Sequence, residues 1–460
     1  MERKMEQIEN NTIGEKIFKE VLDNGLTVYL MPKETKKKYI IWSTKFGSVD
    51  NKFYYESDEM TIVPDGIAHY CEHKLFEQRD GTNSLDTLTS LGVDANAYTS
   101  NDHTAYLFEC TENFDEALDE FMDYVQNPYF TDENVEKERG IISQEIMMYD
   151  DYPEWKLYMN LMKAMYKSNE INIDTAGTVE TIQDIDKEKL YQIYDAFYVP
   201  QNMILVCVGG FDVDDMFSKI KNRMTMKRTN KSLQRVYNSD SPDIVKKYVE
   251  ESKEISIPLV AIGFKDLFFY KKHDGEIYNS DKSFLSDDLK MEENNIELAK
   301  RDIAVDMLGD IIFGPCSKFY RKMYESGMIT TDPSVQYEFS DNYGHVVIQI
   351  QTNHIDEFVQ EVKNEISYFI ENGISDEDFN RTLRCEYSDV IRSFNEVSGI
   401  GNMLVSQICK GIGPFGYIDA VKALDKDYLM QVLKEIFVEK NMVVSVIKVE
   451  NKNDLKYNIS

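Results

Sequence analysis

Five residues, His69-Tyr70-Cys71-Glu72-His73, restrict what this chain can be more than any other stretch. They lie in GIAHYCEHKLFE, whose apolar residues recur at helical spacing. Residues four apart on a helix stack on one face, about 6 Å apart along the axis. His69 and His73 can therefore aim two imidazoles at one ion, and Glu72 lies on nearly the same face. Two histidines and an adjacent carboxylate are the parts of a hydrolytic zinc centre: ligands for the ion and a base for the water it activates. The bland alternative is a pair of solvated helix histidines. The neighbours Ile67, Ala68, Leu75 and Phe76 speak against it, because they bury the helix, and buried imidazoles and a carboxylate need a partner. With six histidines in 460 residues, a chance pair at this spacing around a glutamate is rare.

Catalytic zinc commonly takes three protein ligands and keeps the fourth place for water. The best source of a third is VEKERGIISQEIMMYDD, where Glu138 and Glu145 stand two helical turns apart and share a face. Most helix glutamates are merely solvated. Glu145 stands out by its setting among Ile141, Ile142, Ile146 and Met147, where a carboxylate needs a reason to be. The other histidines take plainer readings. His103 is expected to be a hydrogen-bonded structural residue near the cleft, and His273, His345 and His354 are isolated. The 21 methionines read as core filler. The six cysteines are scattered without C-x-x-C spacing and read as reduced thiols, with Cys71 packing on another side of its helix.

The length suits two domains, expected at 1–225 and 244–460 with a polar linker at 226–243. An internal duplication supports this. Asn202-Met203-Ile204-Leu205-Val206-Cys207-Val208 is echoed by Asn441-Met442-Val443-Val444-Ser445-Val446-Ile447, and Asp132-Glu133-Asn134-Val135 by Asp376-Glu377-Asp378-Phe379, at offsets of 239 and 244. Each half reads as α+β. Short apolar runs at 27–30, 40–46, 104–108, 204–208, 259–264, 335–339 and 346–351 predict strands. Amphipathic stretches at 114–125, 134–148, 155–165, 296–312 and 376–394 predict helices. This order fits mostly antiparallel sheets, each packed with helices on one face. Residues 281–295 read as an acidic inserted loop. The helix where a second metal motif would fall, near 304–313, has no histidine.

The net charge of −31 argues against nucleic acid and anionic membrane surfaces. It is compatible with steering of basic peptides, although a solvated acidic surface is the simpler reading. The charged N-terminal stretch resembles neither a secretory signal nor a transit peptide, and no apolar run is long enough to span a bilayer, so a cytoplasmic location is expected.

The motif and its flanks resemble the pitrilysin/insulinase family of inverzincin metallopeptidases, in the short bacterial processing-peptidase branch. The resemblance runs through LDNGLTVYLMP (22–32), GIAHYCEHKLFE, GVDANAYTSNDHTAYLFE (92–109), ALDEFMDYVQNPYF with VEKERGIISQE, and FYVPQNMILVCVGGFD (197–212). It implies a zinc endopeptidase with one Zn2+ per chain held by His69, His73 and Glu145. Glu72 would be the general base and Glu138 the carboxylate that orients the site. The backbone around Asn96 and Ala97 would pair with an extended peptide substrate. Two such domains would close like a clamshell when paired. The family's active members also bring an Arg and a Tyr from the second half. In CSKFYRKMYESGMITTD, Tyr324 stands at the Arg position, Thr330 near the Tyr position, and Arg321 is out of register. A second, similar subunit supplying Arg and Tyr is therefore expected, in a heterodimer or a homodimer. The other function class is a non-catalytic assembly or peptide-binding subunit.

Overall fold

The computed structural model describes residues 5–238, 240–271, 292–340 and 342–450. His273 and residues 281–291 of the expected acidic loop lie outside them. Residues 292–295 of that stretch are helical rather than loop, opening the long helix Glu292–Phe313.

The strands of the first half are β1 (Glu6–Asn10), β2 (Glu15–Val21), β3 (Thr27–Pro32), β4 (Lys38–Thr44), β5 (Lys52–Tyr55), β6 (Thr61–Ile62), β7 (Asp94–Thr99), β8 (Thr104–Cys110) and β9 (Met203–Gly209). Those that follow are β10 (Leu233–Arg235), β11 (Tyr248–Lys253), β12 (Leu259–Lys265), β13 (Ser334–Phe339), β14 (Gly344–Gln351) and β15 (Met442–Val449). A seven-stranded sheet has the order β1-β2-β3-β9-β4-β8-β7, and a five-stranded sheet has the order β11-β15-β12-β14-β13. The run β3-β9-β4-β8-β7 is thus repeated as β11-β15-β12-β14-β13. In both, the first pair is parallel and the other three are antiparallel. The echoed segments fall on the corresponding strands β9 and β15.

The helices are α1 (Ile67–Lys74), α2 (Ser84–Ser90), α3 (Phe114–Gln126), α4 (Asp132–Asp151), α5 (Pro153–Met165), α6 (Lys187–Phe197) and α7 (Val213–Arg223). The second half adds α8 (Glu292–Phe313), α9 (Lys318–Glu325), α10 (Ile355–Asn372), α11 (Asp376–Arg392), α12 (Val397–Cys409), α13 (Gly416–Lys422) and α14 (Lys426–Ile436). Each sheet carries its own half's helices on one face, as expected. Ile40 and Trp42 of β4 enter that core with Phe121 and Tyr124 of α3. The opposite faces are covered by exchange. Tyr39, Ile41, Ile204 and Val206 pack against Val397, Ile400, Leu404 and Val405 of α12, from the other half. Reciprocally, Leu259 and Ala261 of β12 pack against Leu157, Leu161, Met162 and Met165 of α5. This double burial explains why β4, β9 and β12 read as continuous apolar runs rather than alternating ones.

The exchange is close-packed. A Cβ on Gly401 of α12 would stand 2.4 Å from the Tyr39 ring, and one on Gly263 of β12 would stand 2.3 Å from Met165 of α5. The halves also meet at two equivalent hairpin tips. Asn101 of the β7–β8 turn donates to Glu338 Oε1 at 2.7 Å, and Ser340 of the β13–β14 turn donates to Asp102 Oδ2 at 3.2 Å. The stretch read as a linker is anchored along its length. β10 pairs with β5, and Arg235 meets Asp50 at 3.1 Å. Asp240 accepts the main-chain N–H groups of Lys167 and Ser168 and pairs with buried Lys265 at 2.5 Å. Among the described residues no helix is long and apolar enough to cross a membrane.

Replacing Gly401 by Val forces the Tyr39 ring to move and is expected to destabilise the fold by about 1–3 kcal/mol. The control is Gly399, two residues earlier on the exposed side of α12, where a Cβ has only Glu396 Cβ at 3.7 Å. Gly399→Ala is expected to stabilise by about 0.5–1 kcal/mol. Urea denaturation of both variants checks the pair.

Candidate metal centre

The site is assembled from α1, α4 and the edge strand β7. α1 starts at Gly66, whose φ of 90° and tight fit against Ala176 O, 2.3 Å from an added Cβ, admit no side chain. From there Ile67, Ala68, Tyr70 and Cys71 turn into the core. The Tyr70 hydroxyl donates to Val135 O and ties α1 to α4. Burial pushes the Cys71 thiol up to about 12, so it packs as a neutral group, as expected. α4 is fixed at its start by a reciprocal cap: Thr131 Oγ1 accepts Asn134 N at 3.1 Å, and Asn134 Oδ1 accepts Thr131 N at 2.8 Å.

These anchors bring His69, His73 and Glu145 together. His69 Nε2 lies 3.7 Å from Glu145 Oε1, and His73 Nε2 lies 3.7 Å from Glu145 Oε2. The two rings sit 4.6 Å apart at 67°, and one candidate ligand atom from each residue falls within 4.8 Å of the others. Distances of 3.7 Å are too long for hydrogen bonds. Ligand atoms about 2.0–2.1 Å from a tetrahedral ion stand about 3.4 Å apart, so the spacing suits a shared cation. Among the described residues this is the one group of its kind.

The electrostatics point the same way. Burial, with His73 alongside, pushes His69 down to about 3, so its imidazole is neutral, and its buried Nδ1 has no hydrogen-bond partner. For His73, burial favours the neutral ring, but the hydrogen bond to Glu138 and the charges of Glu72, Glu138 and Glu145 outweigh it and raise the pKa. His73 Nδ1 contacts Glu138 Oε1 at 3.1 Å; in the neutral ring that bond favours the proton on Nδ1 and turns the Nε2 lone pair towards Glu145. Glu138 Oε2 accepts from Lys74 Nζ at 3.3 Å, and Lys74, wholly buried, also reaches Glu77 at 2.9 Å. Burial opposes ionisation of Glu138, yet His73 and Lys74 lower its pKa. With Glu77 matched by Lys137 and both imidazoles neutral, Glu72, Glu138 and Glu145 against Lys74 leave two negative charges, which a divalent cation balances.

Glu72 Oε2 accepts the Thr99 hydroxyl at 2.8 Å. Burial raises the Glu72 pKa, against the opposing pull of His73 and the Thr99 bond. Thr99 ends β7, the outermost strand of its sheet. Ser100 N donates to His103 O at 2.8 Å and closes the hairpin. Stepping back in twos, the main-chain groups of Ala95, Ala97 and Thr99 face the free edge. Ala97 therefore offers its main chain to that edge, whereas the main-chain groups of Asn96 face Leu107 of β8, and Asn96 Oδ1 accepts the Ala97 N–H at 2.9 Å.

Sequence reasoning passed over Thr99 and Lys74. Lys74 carried a weak signal, a lysine directly after His73 inside an apolar helix; Thr99 carried none. His103 is structural, with Asp102 Oδ1 at 2.6 Å and the Tyr98 hydroxyl at 3.3 Å. Tyr324 lies on α9, half exposed and stacked on Tyr320 at 5.6 Å, and Thr330 is exposed beyond it.

The family model of insulinase (peptidase family M16) matches residues 58–179, and that of the peptidase M16 inactive domain matches 184–384. The zinc protease YmfH of Bacillus subtilis is 39% identical over 344 residues, covering 73% of this chain and 74% of its own. The chain belongs to peptidase family M16. An M16-like peptidase from Alicyclobacillus acidocaldarius superposes with a TM-score of 0.85 at 29% identity, covering 98% of this chain and all of that one. The periplasmic protease PqqL from Escherichia coli shares the fold, with a TM-score of 0.70 at 17% identity over 99% of this chain but 49% of its own.

The raised Glu72 pKa has a consequence for the metal-free M16 chain. A carboxyl that is harder to ionise in the folded state weakens folding above its unfolded pKa and not below it. Glu72→Gln is therefore expected to stabilise the chain at pH 7 in EDTA, with the gain vanishing as pH falls towards 4. Thermal midpoints at the two pH values provide the measurement.

Proposed function

We propose that the chain is a zinc-dependent endopeptidase, with one ion held by His69, His73 and Glu145. The observation that carries the reading is the convergence of the two Nε2 atoms on the two oxygens of Glu145 at 3.7 Å. Relatives named zinc proteases, YmfH among them, support the choice of metal and reaction. Zinc bound there supplies a Lewis acid for the peptide carbonyl and makes water acidic enough to lose a proton near neutral pH.

The chain's own groups do the rest. Glu72, held at Oε2 by Thr99, takes the proton from the attacking water and returns it to the leaving amine. Its burial keeps its basicity above that of a solvated carboxylate. Glu138 fixes the His73 tautomer, and Lys74 keeps Glu138 charged enough to do so. An extended peptide adds to the β7 edge beside Ala97, displacing the Asn96 side chain from the Ala97 N–H.

The partner expected from the sequence remains part of this reading. By the resemblance, Tyr324 stands at the position of the family's Arg and Thr330 near that of its Tyr, and the second half matches an M16 domain described as inactive. A similar subunit, in a heterodimer or homodimer, is proposed to supply them. If the purified chain alone reaches the full rate it shows beside such a subunit, the pairing idea is wrong. If it binds no zinc, the chain is a non-catalytic peptide-binding or assembly subunit instead.

Glu72→Gln is expected to keep one zinc per chain and to lower kcat at least about 100-fold. His69→Ala and Glu145→Ala are expected to lose the metal, and Glu138→Ala to weaken zinc binding by about 10–100-fold in chelator competition. Cleavage retained by Glu72→Gln would remove the base from the mechanism.

A further inference from the structure

The last turn of α1 holds a charge that packing alone does not call for. Lys74 follows His73 directly and is wholly buried, at a place where an apolar side chain would be the cheaper choice. Its ammonium is shared between two carboxylates. Glu77 Oε2 stands 2.9 Å from Nζ, and Glu138 Oε2 stands 3.3 Å from it. Each carboxylate turns its other oxygen to a different partner. Glu138 Oε1 reaches His73 Nδ1 at 3.1 Å, and Glu77 Oε1 meets Lys137 Nζ at 3.1 Å. The result is a single chain of contacts, His73–Glu138–Lys74–Glu77–Lys137, that runs from the candidate metal centre to the surface.

Glu77 is fixed in its place. It lies just past α1, three residues after Lys74, in a turn closed by Ser84 N donating to Phe76 O and Gln78 N donating to Thr82 O, both at 2.9 Å. With Lys137, whose side chain is 68% exposed, it lines an open cavity of about 820 Å³ beside Arg79, Tyr129, Thr131 and Asn134. The chain thus passes from a dry inner end at Lys74 to a solvated outer end at Lys137.

One carboxylate would be enough to neutralise Lys74, and two are present. With Glu138 as its sole partner, Lys74 would pair with it fully and quench the charge that Glu138 offers to His73. Glu77, the nearer of the two, draws the ammonium away. Resting on the peptidase reading above, we propose that Glu77 is a positioning residue for the metal centre: it holds Lys74 back from Glu138, keeps Glu138 available to His73, and thereby sets the affinity for zinc. The Lys74 pairs act strongly because they lie out of water. Lys137, solvated and screened, steadies Glu77 more weakly.

The test measures the zinc affinity of the full chain by chelator competition. Glu77→Gln keeps the shape of the side chain and removes its charge. It is expected to weaken zinc binding about 5–10-fold and to shift the visible absorption of the Co2+-loaded chain, with the far-UV circular dichroism unchanged. Lys137→Glu acts in the opposite direction. A like charge at the surface presses Glu77 towards Lys74, and zinc binding is expected to tighten about 3-fold. Glu133→Gln is the control. Glu133 lines the same cavity with the same charge but has no part in the chain of contacts, so its loss is expected to change the affinity less than about 2-fold. A Glu77→Gln affinity within about 2-fold of wild type overturns the proposal. So does an equal loss in Glu133→Gln, which would make Glu77 one surface charge among many. If Glu77→Gln does not fold, the exposed Lys137→Glu variant decides, and weakened or unchanged zinc binding there rejects the idea. Failure of the peptidase reading shows separately, as a zinc-loaded wild-type chain that cuts no peptide while its zinc affinity still depends on Glu77.

Discussion

A β-sheet has two faces, and in the two large sheets of this protein both faces are apolar along the central strands. Each half has helices enough for one. The remaining face of each sheet is covered by a helix from the other half, α12 on β4 and β9, and α5 on β12 and β15. A buried Leu or Val side chain contributes about 1.5–3 kcal/mol relative to exposure, so a face of this size left bare would be a heavy loss. Neither half is complete by itself. Because α4 and α5 are separated by Tyr152 alone, the helix bearing Glu138 and Glu145 is tied to the sheet of the second half. A rigid shift of that sheet must carry Glu145 with it unless the corner at Tyr152 bends.

The candidate metal centre goes against the local rules that the rest of the fold obeys. His69 buries a ring nitrogen without a partner, Glu72 buries a carboxylate against its preference for water, and Lys74 buries an ammonium. Each weakens folding on its own. Together they form a network in which Lys74 favours the charged form of Glu138, Glu138 contacts His73, and the surplus of negative charge suits a cation. Concentrated departures from good local design of this kind mark functional sites.

How much of this the sequence shows depends on the range of the interaction. The His69–His73 pair is legible because both residues lie on one helical turn. β9 and β15 are legible because the repeat preserves their apolar runs, and the strand and helix expectations fall on matching elements throughout. Glu145 could be singled out only by its apolar neighbours and a resemblance, since nothing in its spacing reports contact with α1. Thr99 is 27 residues from Glu72 in a different element and leaves no periodic trace. The anchoring of Asp240 and Arg235 is hidden for the same reason, as a polar stretch looks alike whether it is solvated or stitched to buried partners. The cover of the second sheet faces was equally invisible. Continuous apolar strands announce that something covers them, not what.

The two hairpin tips point to how such a chain is built. Asn101 of one reaches Glu338 beside the other, and Ser340 of the other reaches back to Asp102. A two-fold axis through a pair of identical subunits brings equivalent turns together in this way. With α5 and α12 traded across it, the arrangement is that of a domain-swapped dimer fused end to end. Fusion makes assembly independent of concentration and lets the copies diverge. One copy of the histidine motif then suffices, and the helix in the matching position, α8, is free to serve packing alone.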